Sequence, residues 1–227
     1  ASERVALDPD TWLSAGSVEA ALRGSGAACF AVDQVFSGGA QNAFCVMRPP
    51  GHHAGVSTAM GFCLLNHAAV SVRHAQAEHG ARRVAIVDFD VHHGNGTQEI
   101  FEASPDVLFV SSHQIPLYPG TGYPEETGCG NVLNLPLAPG DGSAEFRAAW
   151  SKHGLPAVKR FRPDLIGSRI AWAAMTASRE SSAPENFGPN VWLVDQMYLK
   201  YLEAPESVSD SWREFFEDYQ PQSGPAL

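Results

Sequence analysis

The stretch that most constrains this chain is Val84-Ala85-Ile86-Val87 running straight into Asp88-Phe89-Asp90-Val91-His92-His93-Gly94-Asn95-Gly96. A short apolar run rich in β-branched residues makes a buried strand. In an extended chain alternate side chains share a face, so Asp88, Asp90 and His92 point the same way just past the apolar part. In open α/β sheets that is where ligands and metals sit. Two carboxylates and an imidazole on one face suit a divalent metal such as zinc. The plainer alternative is a polar strand end with solvated side chains, and a second histidine pair upstream weighs against it.

That pair is Gly51-His52-His53, after an expected strand over residues 43–47 and the rigid Arg48-Pro49-Pro50. Adjacent side chains diverge, so the two imidazoles do not suit one metal. They suit a general acid/base pair if each is oriented by a hydrogen-bond partner. Asp88 is a good partner for one and Asn95 for the other. A carboxylate raises an imidazole pKa and an amide barely does, so the two should differ in protonation. Two solvated loop histidines are the alternative.

The rest of the chain supplies the frame. Residues 1–13 read as a loop, residues 17–22 as a short helix capped by Ser17, and residues 27–36 as a second helical segment. Residues 61–79 read as a helix on which His67, His74 and His79 are surface or helix-end residues. Strands are expected over 107–112, 132–137 and from 163, with a helix over 144–161. Strands alternating with helices mean βαβ units, hence an α/β fold with an open, mainly parallel sheet. A formal net charge of −10 argues against wrapping nucleic acid and favours a basic substrate. Cys29, Cys45, Cys63 and Cys129 form no C-x-x-C pair and read as buried thiols in a reducing cytoplasm. No apolar run is long enough to span a bilayer, and no signal peptide is recognised at the start.

R-P-P-G-H-H-A, G-F-C-L-L-N, V-D-F-D-V-H-H-G-N-G-T-Q, S-S-H-Q and Y-P-G-T-G follow one another in this order. Together they resemble the histone deacetylase / acetylpolyamine amidohydrolase family over residues 10–166. The resemblance implies an open α/β sheet with zinc at the strand ends and hydrolysis of the amide of an acetylated amine. It makes Asp90 and His92 zinc ligands, His53 the general base and then acid, and His52 its electrostatic companion. Asp88 would pair with His52 and Asn95 with His53. Asp88 and Ser111 would help hold a structural monovalent cation such as K+. Gly61, Phe62 and Tyr118 would line a narrow substrate tunnel. After Ile166 the family continues with an S-A-G-F-D-type segment carrying the third zinc ligand and later a G-G-Y-type segment whose Tyr binds the oxyanion. Here Gly167-Ser168-Arg169-Ile170-Ala171-Trp172 follows instead. The expectation is a deacetylase domain over residues 1–166, truncated at both ends and impaired in activity.

Residues 167–186 read as a linker and residues 187–222 as a helical appendage. Asn190 and Ser209 read as helix caps, and Trp212, Phe215, Phe216 and Tyr219 form an aromatic stripe at helical spacing. F-G-P-N-V-W-L-V-D-Q-M-Y-L-K-Y and D-S-W-R-E-F-F resemble the N-terminus of the 2-oxoglutarate dehydrogenase E1 component over residues 175–222. This implies docking to an E2 acyltransferase and no thiamine chemistry. A catalytically inactive fusion or binding module, docking through these acidic helices, is the rival expectation.

Overall fold

In the computed structural model, residues 4–170, 172–177, 198, 201–207, 213 and 216 are described. The chain divides into two units, Ala1–Arg179 and Glu180–Leu227.

In the first unit an antiparallel hairpin, β1 (Val5–Ala6) and β2 (Trp12–Leu13), precedes helix α1 (Ser17–Phe36) and strand β3 (Asn42–Cys45). Then come α2 (His67–His79), β4 (Val84–Asp88), α3 (Asn95–Phe101), β5 (Val107–Gln114) and β6 (Val132–Leu137). Helix α4 (Ser143–Ala149) passes through a π-helical turn (Trp150–Gly154) into α5 (Leu155–Phe161). Strands β7 (Leu165–Ile170) and β8 (Trp172–Ala177) complete the unit.

The sheet has six strands in the order β3-β8-β7-β4-β5-β6. β7, β4, β5 and β6 pair in parallel, while β8 is antiparallel to both β7 and β3. Alternation along the strands sorts the core into two layers. Val84, Ile86, Val107 and Phe109 pack with Val32 of α1 and Val72 of α2. Ala85, Leu108 and Val110 pack with Trp150 and Val158 on the opposite face. Each large apolar side chain so buried contributes about 1.5–3 kcal/mol. β4 thus has a strand on either side and helices over each face. Its polar end emerges from the most protected part of the molecule.

Several expectations are corrected. Residues 1–13 are not all loop, since they contain the β1–β2 hairpin. Residues 17–36 form one helix, preceded by Gly16 rather than capped by Ser17. Within it Gly24 serves packing: a Cβ there would sit 3.0 Å from the His67 ring. The next helix starts at His67, with the Asn66 side chain accepting from the Ala69 amide. His67 itself is buried, not at the surface: Nε2 donates to the Pro49 carbonyl and Nδ1 pairs with Ser25. Of the cysteines only Cys63 is fully buried, Cys129 is exposed, and no disulfide joins any of the four. Among the described residues no helix is long and apolar enough to cross a membrane.

In the second unit Tyr198, Tyr201 and Phe216 form a cluster, with ring centroids 5.2 Å (Tyr198–Phe216) and 5.4 Å (Tyr201–Phe216) apart. Phe216 is buried there, as one member of the expected aromatic stripe. The expected caps Asn190 and Ser209, and the other stripe residues Trp212, Phe215 and Tyr219, lie outside the described residues.

Candidate active site

The site assembles where β3 and β4 run out. His52 and His53 follow β3 on a loop that closes on itself through the Ala54 amide and Gly51 carbonyl at 3.1 Å. Both imidazoles are buried. Nδ1 of His52 pairs with Asp88 Oδ2 at 2.9 Å, and Nδ1 of His53 donates to Asn95 Oδ1 at 2.8 Å. The rings lie 4.0 Å apart, centroid to centroid. Asp88 is the last residue of β4, and its other oxygen accepts the Asp90 amide at 3.1 Å. Gly94 lets the chain pass this close: a Cβ there would stand 2.5 Å from Asp88 Oδ2.

The pKa of His53 is driven down to about 4, first by burial and then by the charge of neighbouring His52. His53 is therefore neutral at pH 7. With its Nδ1 proton committed to the Asn95 carbonyl oxygen, Nε2 carries the lone pair. A neutral imidazole with a fixed tautomer and a free acceptor nitrogen is what a general base needs.

Asp90 and His92 lie beyond β4 on the same side. Asp90 Oδ1 accepts the His92 amide at 3.0 Å and stands 3.3 Å from His92 Nδ1. Donors bound at about 2.0–2.1 Å around a tetrahedral ion stand about 3.3–3.4 Å apart. One oxygen and one nitrogen at this spacing therefore fit two ligand positions of such an ion. Among the described residues no third His, Cys, Asp or Glu donor lies within 4.8 Å of both. The His53 ring is 6.1 Å from that of His92, so the candidate base and the candidate ligand face one space.

Tyr118 closes one side of that space, edge-on to His53 at 5.1 Å and to His92 at 6.1 Å. Burial, then the charges of Asp10 and Asp8, push its phenol up to about 12, so it keeps its proton. Gly61 lies against His53 so closely that a Cβ would collide with the ring. Phe62 stands at the rim, 61% exposed, with a φ of 63°. A left-handed backbone at a bulky residue persists only when its surroundings hold it. Here the Phe62 amide donates to Thr11 Oγ1 at 3.0 Å and the Gly61 amide to Asp10 Oδ1 at 3.2 Å. Ser111 is buried on β5 opposite Asp88, and its hydroxyl pairs with His113 Nδ1 at 2.9 Å.

Sequence reasoning missed the residues that hold the side carrying Tyr118. His93 pairs with Thr121 Oγ1 at 2.8 Å and Gln98 Oε1 at 3.0 Å, and His113 donates to the Gly122 carbonyl at 2.9 Å. Glu126 accepts from Gln98 and from the Gly122 amide. This buried network fixes the loop that carries Tyr118. The period of two along β5, which puts Phe109, Ser111 and His113 on one face, was the available signal. Asp10 and Thr11 were missed as well. Asp8-Pro9-Asp10-Thr11 is a turn signature, with Asp8 Oδ1 accepting the Asp10 and Thr11 amides at 3.0 and 2.6 Å.

Comparison with known proteins gives the family. The histone deacetylase domain model matches residues 1–170, and the 2-oxoglutarate dehydrogenase N-terminus model matches residues 186–223. A probable deacetylase of Archaeoglobus fulgidus is 44% identical over 164 residues, which cover 70% of this chain and 45% of that protein. A histone deacetylase-like amidohydrolase of Pseudomonas aeruginosa is 45% identical over 166 residues, covering 70% of this chain and 43% of that protein. The crystal structure of the HDA15 HD domain superposes with a TM-score of 0.70 at 41% identity, covering 74% of this chain and 51% of that one. An acetylpolyamine aminohydrolase from Burkholderia pseudomallei gives a TM-score of 0.68 at 38% identity, covering 72% and 48%. The chain thus spans about half the length of these relatives. With the family model matched over residues 1–170 and the strand-end residues gathered in one space, this chain belongs to the histone deacetylase domain family.

Proposed function

We propose that this chain carries a Zn2+-dependent amidohydrolase site that removes the acetyl group from an acetylated amine, such as acetyl-lysine or an acetylpolyamine, at a reduced rate. The observation that carries this reading is the convergence of two oriented imidazoles with an aspartate and a histidine at ligand spacing. His52 and His53 are held by Asp88 and Asn95, and Asp90 Oδ1 lies 3.3 Å from His92 Nδ1.

Asp90 and His92 would hold the ion. When bound, such an ion polarises a carbonyl and makes water a nucleophile near pH 7. His53 Nε2 takes the proton of the attacking water and later gives it to the leaving amine, which supplies typically about 10²–10⁴ in rate. His52, paired with Asp88, stands against His53 and favours its neutral form before the proton transfer. Gly61, Phe62 and Tyr118 form the walls along which a methylene stem slides, and Asp8 and Asp10 near the rim favour a cationic substrate. Asp88 and Ser111, neighbours in register, would hold a monovalent cation such as K+ behind the site. The reduced rate follows from the donor count, because catalytic zinc sites usually have three protein ligands.

The test is zinc content by atomic absorption together with hydrolysis of a fluorogenic acetyl-lysine peptide by the full chain. We expect Zn2+ at the candidate active site that Asp90→Ala removes, read as one equivalent fewer than in the unaltered chain, and slow turnover that His53→Ala removes while sparing the metal. Absence of both metal and turnover would sink the reading, and loss of zinc in His53→Ala would overturn the roles.

A second reading has support in the tail. From residue 184 onward there are eight Asp/Glu against Lys200 and Arg213, and residues 186–223 match the 2-oxoglutarate dehydrogenase N-terminus. On this reading the tail docks a basic surface of an E2 acyltransferase, whatever the first unit catalyses. Calorimetric titration against an E2 core, repeated at high salt, tests it. Heat that vanishes with salt is expected, and no heat at low salt refutes it.

A further inference from the structure

At the opposite end of the sheet, three side chains meet that the proposed hydrolysis does not use. His74 and His79 of α2 both place Nε2 2.7 Å from one oxygen, Oδ1 of Asp33 on α1. One ligand atom from each residue lies within 4.8 Å of the other two. The two imidazole rings meet edge to face at 5.7 Å, and Phe36 stacks on His79 at 4.7 Å with only 10° between the planes. The convergence is therefore built from two helices that are already packed, with one ring clamped from behind.

From this arrangement we propose that Asp33, His74 and His79 form a second metal site, for a borderline divalent transition ion that takes imidazole nitrogen and carboxylate oxygen. Two neutral imidazoles and one carboxylate are a ligand set for Zn2+ and its first-row neighbours and a poor one for Mg2+ or Ca2+. The surroundings point to a cation independently. Asp33 and Phe36 lie in the last turn of α1, and His79 is the last residue of α2 before its Gly80 cap. Two helix carboxyl ends, each carrying negative partial charge, thus converge on the cluster, and α1 has no basic side chain in its last turn. The Asp33 carboxyl is held below its ordinary range by the hydrogen bonds from His79 and His74, so it is ionised at neutral pH.

Entry of an ion needs little rearrangement. The donors spread from 2.7 Å to the roughly 3.3 Å edge of a tetrahedral site, a motion within side-chain rotation. Each imidazole keeps one proton by carrying it on Nδ1 and gives its Nε2 lone pair to the ion. Water completes the shell, since His74, His79 and Asp33 are 24%, 23% and 45% exposed. His79 precedes the amino end of β4, whereas Asp88 ends that strand, so the length of β4, about 13 Å, lies between the two candidate metal positions. Bound there, the ion staples α1 to α2 and stabilises the fold by mass action.

The experiment titrates Zn2+ into the full-length Asp90→Ala, His92→Ala double variant, where the candidate active site no longer contributes. One equivalent is expected, with a melting temperature that rises with Zn2+ concentration. Adding His74→Ala and His79→Ala should abolish both effects, and if both persist the proposal fails. A second measurement needs no variant. In the unaltered chain, diethylpyrocarbonate labelling of His74 and His79, mapped by mass spectrometry, should be suppressed by Zn2+. Equal labelling of both with and without Zn2+ would overturn the proposal, and neither outcome depends on whether the chain hydrolyses an amide.

Discussion

The two halves of the sheet treat their site-facing ends differently. On the β4–β5 side the strands run parallel and each carboxyl end opens into a loop. β4 delivers Asp88, Asp90 and His92 in this way, and β5 delivers Ser111 and His113. On the β7–β8 side Ile170 pairs with Trp172, so β7 turns straight back into an antiparallel neighbour. That hairpin sits at the sheet end where Asp88 opposes Arg169. A strand followed by a long loop can carry a side chain over the site, whereas a strand followed by a tight reversal spends those residues on the turn. The candidate metal position has two donors from the loop after β4, and β7 and β8 offer none, because residues 165–177 contain no His, Cys, Asp or Glu.

The largest test of the contrast is chemical. If the β4 end does the work, Asp90→Ala should remove Zn2+ uptake at the candidate active site and all acetyl-lysine hydrolysis, read by metal analysis and fluorescence. His53→Ala should keep the zinc and cost about 10²–10⁴ in turnover. Retained activity in both would move the chemistry elsewhere in the molecule. A structural test comes next. Gly94→Ala drives a methyl group onto the Asp88 carboxylate. It should cost about 1–3 kcal/mol by urea unfolding and lower turnover further by displacing His52. A neutral Gly94→Ala would show that the β4 end is looser than its contacts imply.

The seam between the halves gives the smallest effect. Asp164, just before β7, accepts the Arg82 and Arg83 amides that lead into β4, at 2.8 and 2.9 Å. These hydrogen bonds hold its carboxyl below the usual range. Its folded pKa lies under the unfolded value of about 3.9. The stabilisation is therefore full above that value and is lost as the pH falls through the folded pKa. Asp164→Asn should cost about 1 kcal/mol at pH 7, little because the group is mostly solvated. The difference between the two proteins should shrink in acid. A difference that grows there would mean the carboxylate is not what fastens β4 to β7.

How far these features could be read in advance depended on sequence separation. The strand Val132–Leu137 and the polar exit of β4 were legible because each is a local pattern of apolar run and alternation. The neighbours of His52 and His53 were legible through the family resemblance, which implied Asp88 for the first and Asn95 for the second. Strand β8 was not: residues 167–186 read as a linker, and the antiparallel pairing of residues 172–177 with β7 and β3 is set by tertiary contacts they do not encode locally. His74 and His79 read as surface or helix-end residues, and their convergence on Asp33 was hidden for the same reason. Their shared partner lies on another helix, 41 and 46 residues away. That residues 17–36 form one helix was not legible either, because the role of Gly24 is set by a tertiary neighbour, the His67 ring that a Cβ there would meet.

The hold of Asp10 and Thr11 on the backbone of Gly61 and Phe62 has a consequence for how such a protein can diversify. The doorway is propped by a short surface turn that shares no covalent neighbour with the groups at the bottom of the passage. On the proposed function, swapping that turn would change which molecules are admitted while leaving His53, Asp90 and His92 in place. Selectivity and reactivity would then be two separately replaceable parts of one fold.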